Sequence, residues 1–308
     1  MRSLRLATAA VAVGLVAAAM PAWSHIPAVG TTIFEELEVT SSDTGISVSG
    51  LVTYGGQSPV VLATDAAGDN TGGAATQPLG VDLTGLALAQ READSEDLTF
   101  ELRLADLRTP RGTPESVQYN WDVEVDGGAA RGGSNWSIKT MGTRLSTASL
   151  SPWAAVHTCE PGGTANASFT CTQTTPVEAV YDTASKTVYV NVPMSAIGAK
   201  PGSVISAWPR AGSPVWVGAT AAGARTLIET YDGVADHARF TVPSGPSVEV
   251  TVTSAGTGAP VDHTRLDART GDRFSSAIGV GPGTYDVTVQ ACFAGNCATR
   301  VVETTVGS

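Results

Sequence analysis

Apolar and polar residues alternate with a period of two along most of this chain. Ile46 to Tyr54 reads apolar, polar, apolar, polar, and Leu98 to Leu104, Tyr119 to Val125 and Thr187 to Val192 repeat the pattern. Such alternation places one face of a strand against a core and the other in water, as antiparallel sheets do. Turn residues separate the runs at short intervals: Gly55-Gly56, Ala93 to Asp97, Asp126-Gly-Gly128 and Asp182 to Ser185. Regularly spaced short strands with turns of this kind predict a sandwich or barrel. No stretch keeps a helical period for three turns. Pro193 to Gly198 reads as a single helical turn, stopped by its glycine and by Pro201. The fold class expected is therefore all-β, with antiparallel sheets.

Two breaks organise the chain. Residues 65–80 form a polar connection between strands, and Pro243-Ser-Gly-Pro246 forms a stiff linker. After it, Ser247–Thr253, Thr284–Ala291 and Ala298–Val306 read as strands of a compact unit of about 60 residues, a size marginal for independent folding. The domain reading is a signal at 1–24, a β-sandwich at 25–242, a linker at 243–246 and a small immunoglobulin-like sandwich at 247–308.

The first 24 residues change the picture of where this happens. Arg2 and Arg5 precede an apolar run from Leu6 to Met20, then Pro21 and the small residues of Ala22-Trp23-Ser24. This is the three-part pattern of a cleavable export signal. The run is shorter than the roughly 20 residues of a spanning helix, so a secreted, extracellular product without membrane insertion is expected. Export makes the compartment oxidising, and the four cysteines fall in two close pairs, Cys159/Cys171 and Cys292/Cys297. Two local disulfides are the reading that compartment favours.

Charge narrows the partners. The chain carries 18 basic and 29 acidic residues, a formal net charge of −11, and loses two more arginines with the signal. Like charges repel, so nucleic acid and anionic membranes are poor partners. Only Lys139, Lys186 and Lys200 are lysines, and Ala, Gly, Thr and Val are heavily used, as in GC-rich bacterial coding.

Several segments resemble a known family. Val60-Val-Leu-Ala-Thr-Asp65-Ala-Ala-Gly-Asp69, Val81 to Leu88, Asp97 to Leu107, Tyr119 to Val123 and Lys186 to Gly198 are similar to the DOMON/CBM9-like sandwiches of secreted bacterial proteins, over roughly residues 32–242. The last 60 residues resemble immunoglobulin or fibronectin-like repeats at the level of fold. The resemblance implies a sandwich and a sugar-binding role. Some relatives bind haem through a Met/His axial pair, and no matching motif occurs here, so haem is not carried over. Fold analogy alone does not assign function.

Three chemistries are candidates. Asp65, Asp69, Asn70 and Asp82 supply hard oxygens on and beside a flexible loop, the donor set of a Ca²⁺ site, or they make turn hydrogen bonds to nearby backbone. Trp136, in Gly132-Gly-Ser-Asn-Trp-Ser137, and Trp153, after Pro152, are flanked by loop-like residues and are candidate sugar-stacking platforms. Trp121, in phase with Tyr119 and Val123, reads as core. If cleavage leaves His25 first, its amine and imidazole form a candidate copper chelate with His157, His237 or His263. The serine-elbow and zinc-protease motifs, G-x-S-x-G and H-E-x-x-H, are absent. The leading expectation is a non-catalytic protein that binds an extracellular or cell-envelope carbohydrate. An adhesive or structural protein contacting an extracellular protein comes second, and a copper-dependent or hydrolytic carbohydrate enzyme third.

Overall fold

The computed structural model describes residues 29–65, 67, 82–107, 117–126, 135–145, 149–161, 169–220, 223–233 and 239–307. In parts of the longest sheet the description extends to the backbone alone. The export signal expected at 1–24 lies outside these residues.

The described chain is all-β, with nineteen strands. The first half comprises β1 (Ile33–Ser42), β2 (Gly45–Thr53), β3 (Val60–Thr64), β4 (Leu83–Ala89), β5 (Asp97–Leu104), β6 (Val117–Val125), β7 (Asn135–Leu145), β8 (Ser149–Pro161) and β9 (Phe169–Pro176). Then come β10 (Glu178–Asp182), β11 (Thr187–Pro193), β12 (Val204–Thr220), β13 (Gly223–Gly233) and β14 (Arg239–Thr241). The last five are β15 (Ser247–Ser254), β16 (Pro260–Asp267), β17 (Arg273–Gly279), β18 (Gly283–Phe293) and β19 (Asn296–Val306). The single helical turn read at 193–198 is a 3-10 turn, Met194–Ile197, ended by Gly198 at φ 69°. No helix among the described residues is long and apolar enough to cross a membrane.

Two sheets enclose the larger core. One runs in the order β10-β11-β5-β4-β3; the other runs β13-β12-β6-β7-β8-β9, with β14 pairing to β12. Alternation decides which residues enter. From β5 come Leu98, Phe100, Leu102 and Leu104, and from β11 Val188, Val190 and Val192. The facing sheet supplies Val123, Ala154, Val156, Ile205 and Ala207. Each large side chain so buried contributes about 1.5–3 kcal/mol relative to exposure.

The smaller core is built from both ends of the chain. A sheet ordered β16-β15-β18-β19 faces a sheet ordered β1-β2-β17. Between them lie Val248, Val250, Val252, Val287 and Val289 on one side, and Ile46, Val48, Val52, Phe274 and Ile278 on the other. The division read at 243–246 therefore groups β1 and β2 with the wrong core. They pair with β17, in the register Ser49↔Ser275 and Ile46↔Ile278. The physical reason is the apolar face of β15 and β18, which β17 alone is too narrow to cover. Residues 60–242 are thus inserted between β2 and β15, and the chain crosses between the two bodies twice, at 54–59 and at 243–246.

The first crossing is held tightly. A Cβ on Gly56 would sit 1.5 Å from the carbonyl oxygen of Arg91, and one on Gly55 would sit 2.1 Å from the carbonyl oxygen of Gly30. Gly55-Gly56 is not a turn between paired strands; it is a place where backbone lies directly against backbone, which only glycine permits.

Candidate binding site

The outward face of the five-stranded sheet carries a row of polar residues in register. Glu178 lies beside Asn191, Asn191 beside Thr99, and Tyr189 beside Glu101. Alternation alone assigns this face to water, yet Thr99 and Glu101 are each only 3% exposed. They are covered because the segment between β4 and β5, residues 90–96, folds back over them. Arg91 from this segment forms an ion pair with Glu101 and lies 5.5 Å from the centroid of the Tyr189 ring. Arg103, more exposed, stands 3.9 Å from the other oxygen of Glu101. A carboxylate this dry is tolerable only because it is paired.

Beside this pair is a cavity of about 190 Å³ walled by Arg91, Glu92, Ser95, Asp97, Thr99, Glu178 and Asn191. The Thr99 hydroxyl donates to Asn191 Oδ1 at 2.8 Å, which fixes the carboxamide and turns its Nδ2 away from Thr99. Burial, reinforced by the neighbouring charge of Glu96, holds the Asp97 carboxyl above the usual aspartate range. Hydroxyl, carboxamide, carboxylate and guanidinium therefore meet on a wall of paired strands.

A second cavity, about 690 Å³, lies where the two bodies meet, with Gln90, Glu96, Lys200, Arg265, Asp267 and Asp272 among its walls. Ser95 lines both cavities, so residues 90–96 form the partition between them. That partition is anchored to both bodies. Gln57 N donates to Gln90 O at 2.8 Å, and Gln90 N donates to Gln57 Oε1 at 3.1 Å. On the opposite side, Thr270 N donates to the Asp94 carboxylate at 3.0 Å and Thr270 Oγ1 accepts from Tyr54 N at 3.3 Å. Gln90 is 5% exposed; its Nε2 donates to Ser95 O at 2.7 Å, while its Oε1 is buried without a hydrogen-bond partner. The Tyr54 hydroxyl is likewise buried and unpartnered; burial, with the charge of Asp94 adding, pushes its pKa up to about 12.

The residues singled out from sequence lie elsewhere. Asp65 and Asp82 flank the β3–β4 connection, with Asp65 N donating to Thr84 O at 3.1 Å and Asp82 O accepting from Ala105 N at 2.9 Å. Asp69 and Asn70 lie outside the described residues, as do His25 and His237. Trp136 and Trp153 are not in loops: they sit within β7 and β8, in the pairs Trp136↔Thr158 and Met141↔Trp153. That register separates them by ~17 Å along the ladder. Cys292 and Cys297 form the disulfide read from their spacing, and Cys159 is the backbone partner of Cys171 across β8 and β9. Among the described residues no three His, Cys, Asp or Glu side chains converge as a metal site. What sequence reading missed is Arg91 with Glu101, Thr99 and Asn191. The only signal for them is a carboxylate and a threonine in one alternating strand, which ordinarily reads as a wet face.

No family model matches the chain, and no curated protein and no solved structure matches it. The likeness to DOMON/CBM9-like sandwiches accordingly rests on the sequence segments quoted above.

Proposed function

We propose that this chain is an exported protein of two β-sandwiches that binds, without transforming, an extracellular or cell-envelope carbohydrate. The sugar is held in the cavity beneath residues 90–96. The observation that carries this reading is the lining itself: Thr99, Asn191, Asp97, Glu178 and Arg91 converge on about 190 Å³ at a rigid strand wall. Each sugar hydroxyl both donates and accepts, so a site for it needs carboxylates and amides side by side, held in place before the ligand arrives. The Tyr189 ring serves here to seat the guanidinium of Arg91 rather than to stack on sugar. The larger adjoining cavity extends the site for further sugar units, with the buried Gln90 Oε1 as an acceptor awaiting a donor.

The finer fold belongs to the same reading. The large sandwich is DOMON/CBM9-like, and the small one is immunoglobulin/fibronectin-like. The three-on-four strand order supports the latter, as does the Tyr285 hydroxyl donating to Gly281 O at 2.8 Å near the start of β18, the geometry of a tyrosine corner. A structural Ca²⁺ held by Asp65, Asp69, Asn70 and Asp82 completes it; removing the ion with EDTA then lowers the melting temperature.

The test is a glycan array followed by calorimetry on the mature chain. Asn191→Ala and Glu178→Gln each weaken glycan binding by about tenfold, the upper end of the net value of one hydrogen bond. Trp136→Ala and Trp153→Ala report whether a second platform contributes. An array with no glycan bound, or pocket variants that bind as the parent does, overturns the reading; an extracellular protein recovered instead supports the adhesive alternative.

A further inference from the structure

The tip of the β18–β19 hairpin is covalently closed. Cys292 and Cys297 are register partners joined by a disulfide, and the chain reverses through Ala294 and Gly295, at φ 48° and 83°. Ala294 is a non-glycine residue in the left-handed region, a conformation that persists only where its surroundings enforce it. The closed ring is that surrounding.

Asn296, immediately after the turn, gathers two separate pieces of chain. Its Oδ1 accepts from Thr32 N at 3.1 Å. Its Nδ2 donates to Gly30 O at 2.7 Å and to Gly56 O at 3.5 Å. Its main-chain oxygen accepts from the Thr32 hydroxyl at 2.9 Å, and that hydroxyl oxygen accepts from Gly55 N at 3.1 Å. One hairpin tip thus ties down the segment entering β1 and the first crossing between the bodies. Gly56 in turn lies against the carbonyl of Arg91, whose guanidinium walls the small cavity.

We infer that this hairpin tip is a thiol-sensitive clasp. While the Cys292–Cys297 bond stands, Asn296 holds residues 30–32 and 55–56 together and presses the crossing against Arg91. Reduction by an external dithiol releases them. Cys297, the exposed residue of the pair, is the point of attack, since Cys292 is half-buried. A reductant thiolate bonds to Cys297 Sγ, and the Cys292–Cys297 bond breaks with Cys292 leaving as a thiolate that takes up a proton. The second reductant thiol then displaces Cys297, which is protonated in turn. Two electrons and two protons pass to the protein, and the reductant departs as its own disulfide. The consequence for ligand binding rests on the carbohydrate reading; the loosening of residues 30–32 and 55–57 does not.

Amide hydrogen exchange on the full mature chain tests the clasp without any ligand. In Cys292→Ser/Cys297→Ser, the amides of Thr32, Gly55 and Gln57 exchange at least ~tenfold faster than in the parent, while those of Phe100 and Leu102 in β5 keep their protection, the signature of local opening. Asn296→Asp retains the disulfide but loses both Nδ2 donations, and it reproduces the effect at the same amides. Unchanged protection at Thr32 and Gly55 in either variant overturns the clasp, as does a uniform acceleration across β5 in both. Where glycan binding is found, weaker binding by the double variant extends the clasp to the site.

Discussion

At the scale of single residues, Asp126 shows how one carboxylate fixes a strand junction. It ends β6 at φ 54°, accepting from Val204 N at 2.7 Å and from the Ser203 hydroxyl at 2.9 Å. Its own N–H donates to Val204 O at 2.8 Å, so the end of β6 and the start of β12 are bound in both directions. The backbone bond from Val204, then the Ser203 hydroxyl, hold its pKa below the usual aspartate range. A carboxyl depressed on folding contributes its stability in full above the unfolded value of about 3.9, and that contribution is lost as pH falls through the depressed folded value. Asp126→Asn tolerates the left-handed backbone and removes only the charge. Its melting temperature lies below the parent's at pH 7, and the gap narrows on acidification below about pH 4. A gap that stays constant down to pH 2 would mean that the charge is not what matters. Glycine offers a sharper contrast. Gly56→Ala drives a Cβ into the Arg91 carbonyl and costs about 3 kcal/mol, the upper range for overpacking against backbone that cannot yield. Gly245, in the second crossing, has nothing within 4 Å of a built Cβ, so Gly245→Ala stays within about 0.5 kcal/mol of the parent. Urea melts of the two variants decide it.

At the scale of elements, period two carried nearly everything. The runs 46–54, 98–104, 119–125 and 187–192 correspond to β2, β5, β6 and β11, shifted by no more than a residue or two at their ends. Inward positions such as Leu98, Phe100 and Leu102 are buried as the alternation requires. The alternation failed where a neighbour of distant sequence covers the outer face: Glu101 reads as wet and is dry because Arg91 reaches across from the preceding loop. No local pattern in a strand encodes which loop will fold over it. The loop setting read for Trp136 and Trp153 differs from the structure for the opposite reason. Glycine, serine and proline around them mark loops in general, but here they are carried inside two long paired strands, β7 and β8. Cysteine spacing was more informative. Cys292 and Cys297 close a hairpin end, and Cys159 opposite Cys171 stands in the same relation across β8 and β9. Thiol titration of the denatured, unreduced chain accordingly finds no free thiol. Two reactive thiols would show that the second pair stays open.

At the scale of the whole molecule, the order of folding units differs from the order of the sequence. The apolar face of β15 and β18 presents Val250, Val252, Val287 and Val289, all at 0% exposure; β2 covers much of it with Ile46, Val48 and Val52, and β1 adds the partly buried Phe34, Leu37 and Val39. Uncovering side chains of this kind costs about 1.5–3 kcal/mol each. Several of them together match the 5–15 kcal/mol by which a domain is ordinarily stable. Residues 247–308 alone, the unit that the Pro243–Pro246 break suggests, therefore do not fold, even with Cys292 and Cys297 oxidised. A chain in which residues 29–56 are joined to 247–308 through a short glycine–serine linker, with 57–246 deleted, regains the three-on-four sandwich. The linker replaces a body whose two attachment points, at 54–59 and 243–246, lie at the same end of the small sandwich, so the join imposes little strain. The readout is a cooperative urea transition with dispersed amide resonances for the joined chain and neither for the isolated 62 residues. A cooperative transition in the isolated segment would show that β1 and β2 decorate that core rather than complete it. It would also remove the reason for the insertion to stay rigid, because two crossings hold the large sandwich in place only if both emerge from one folded body.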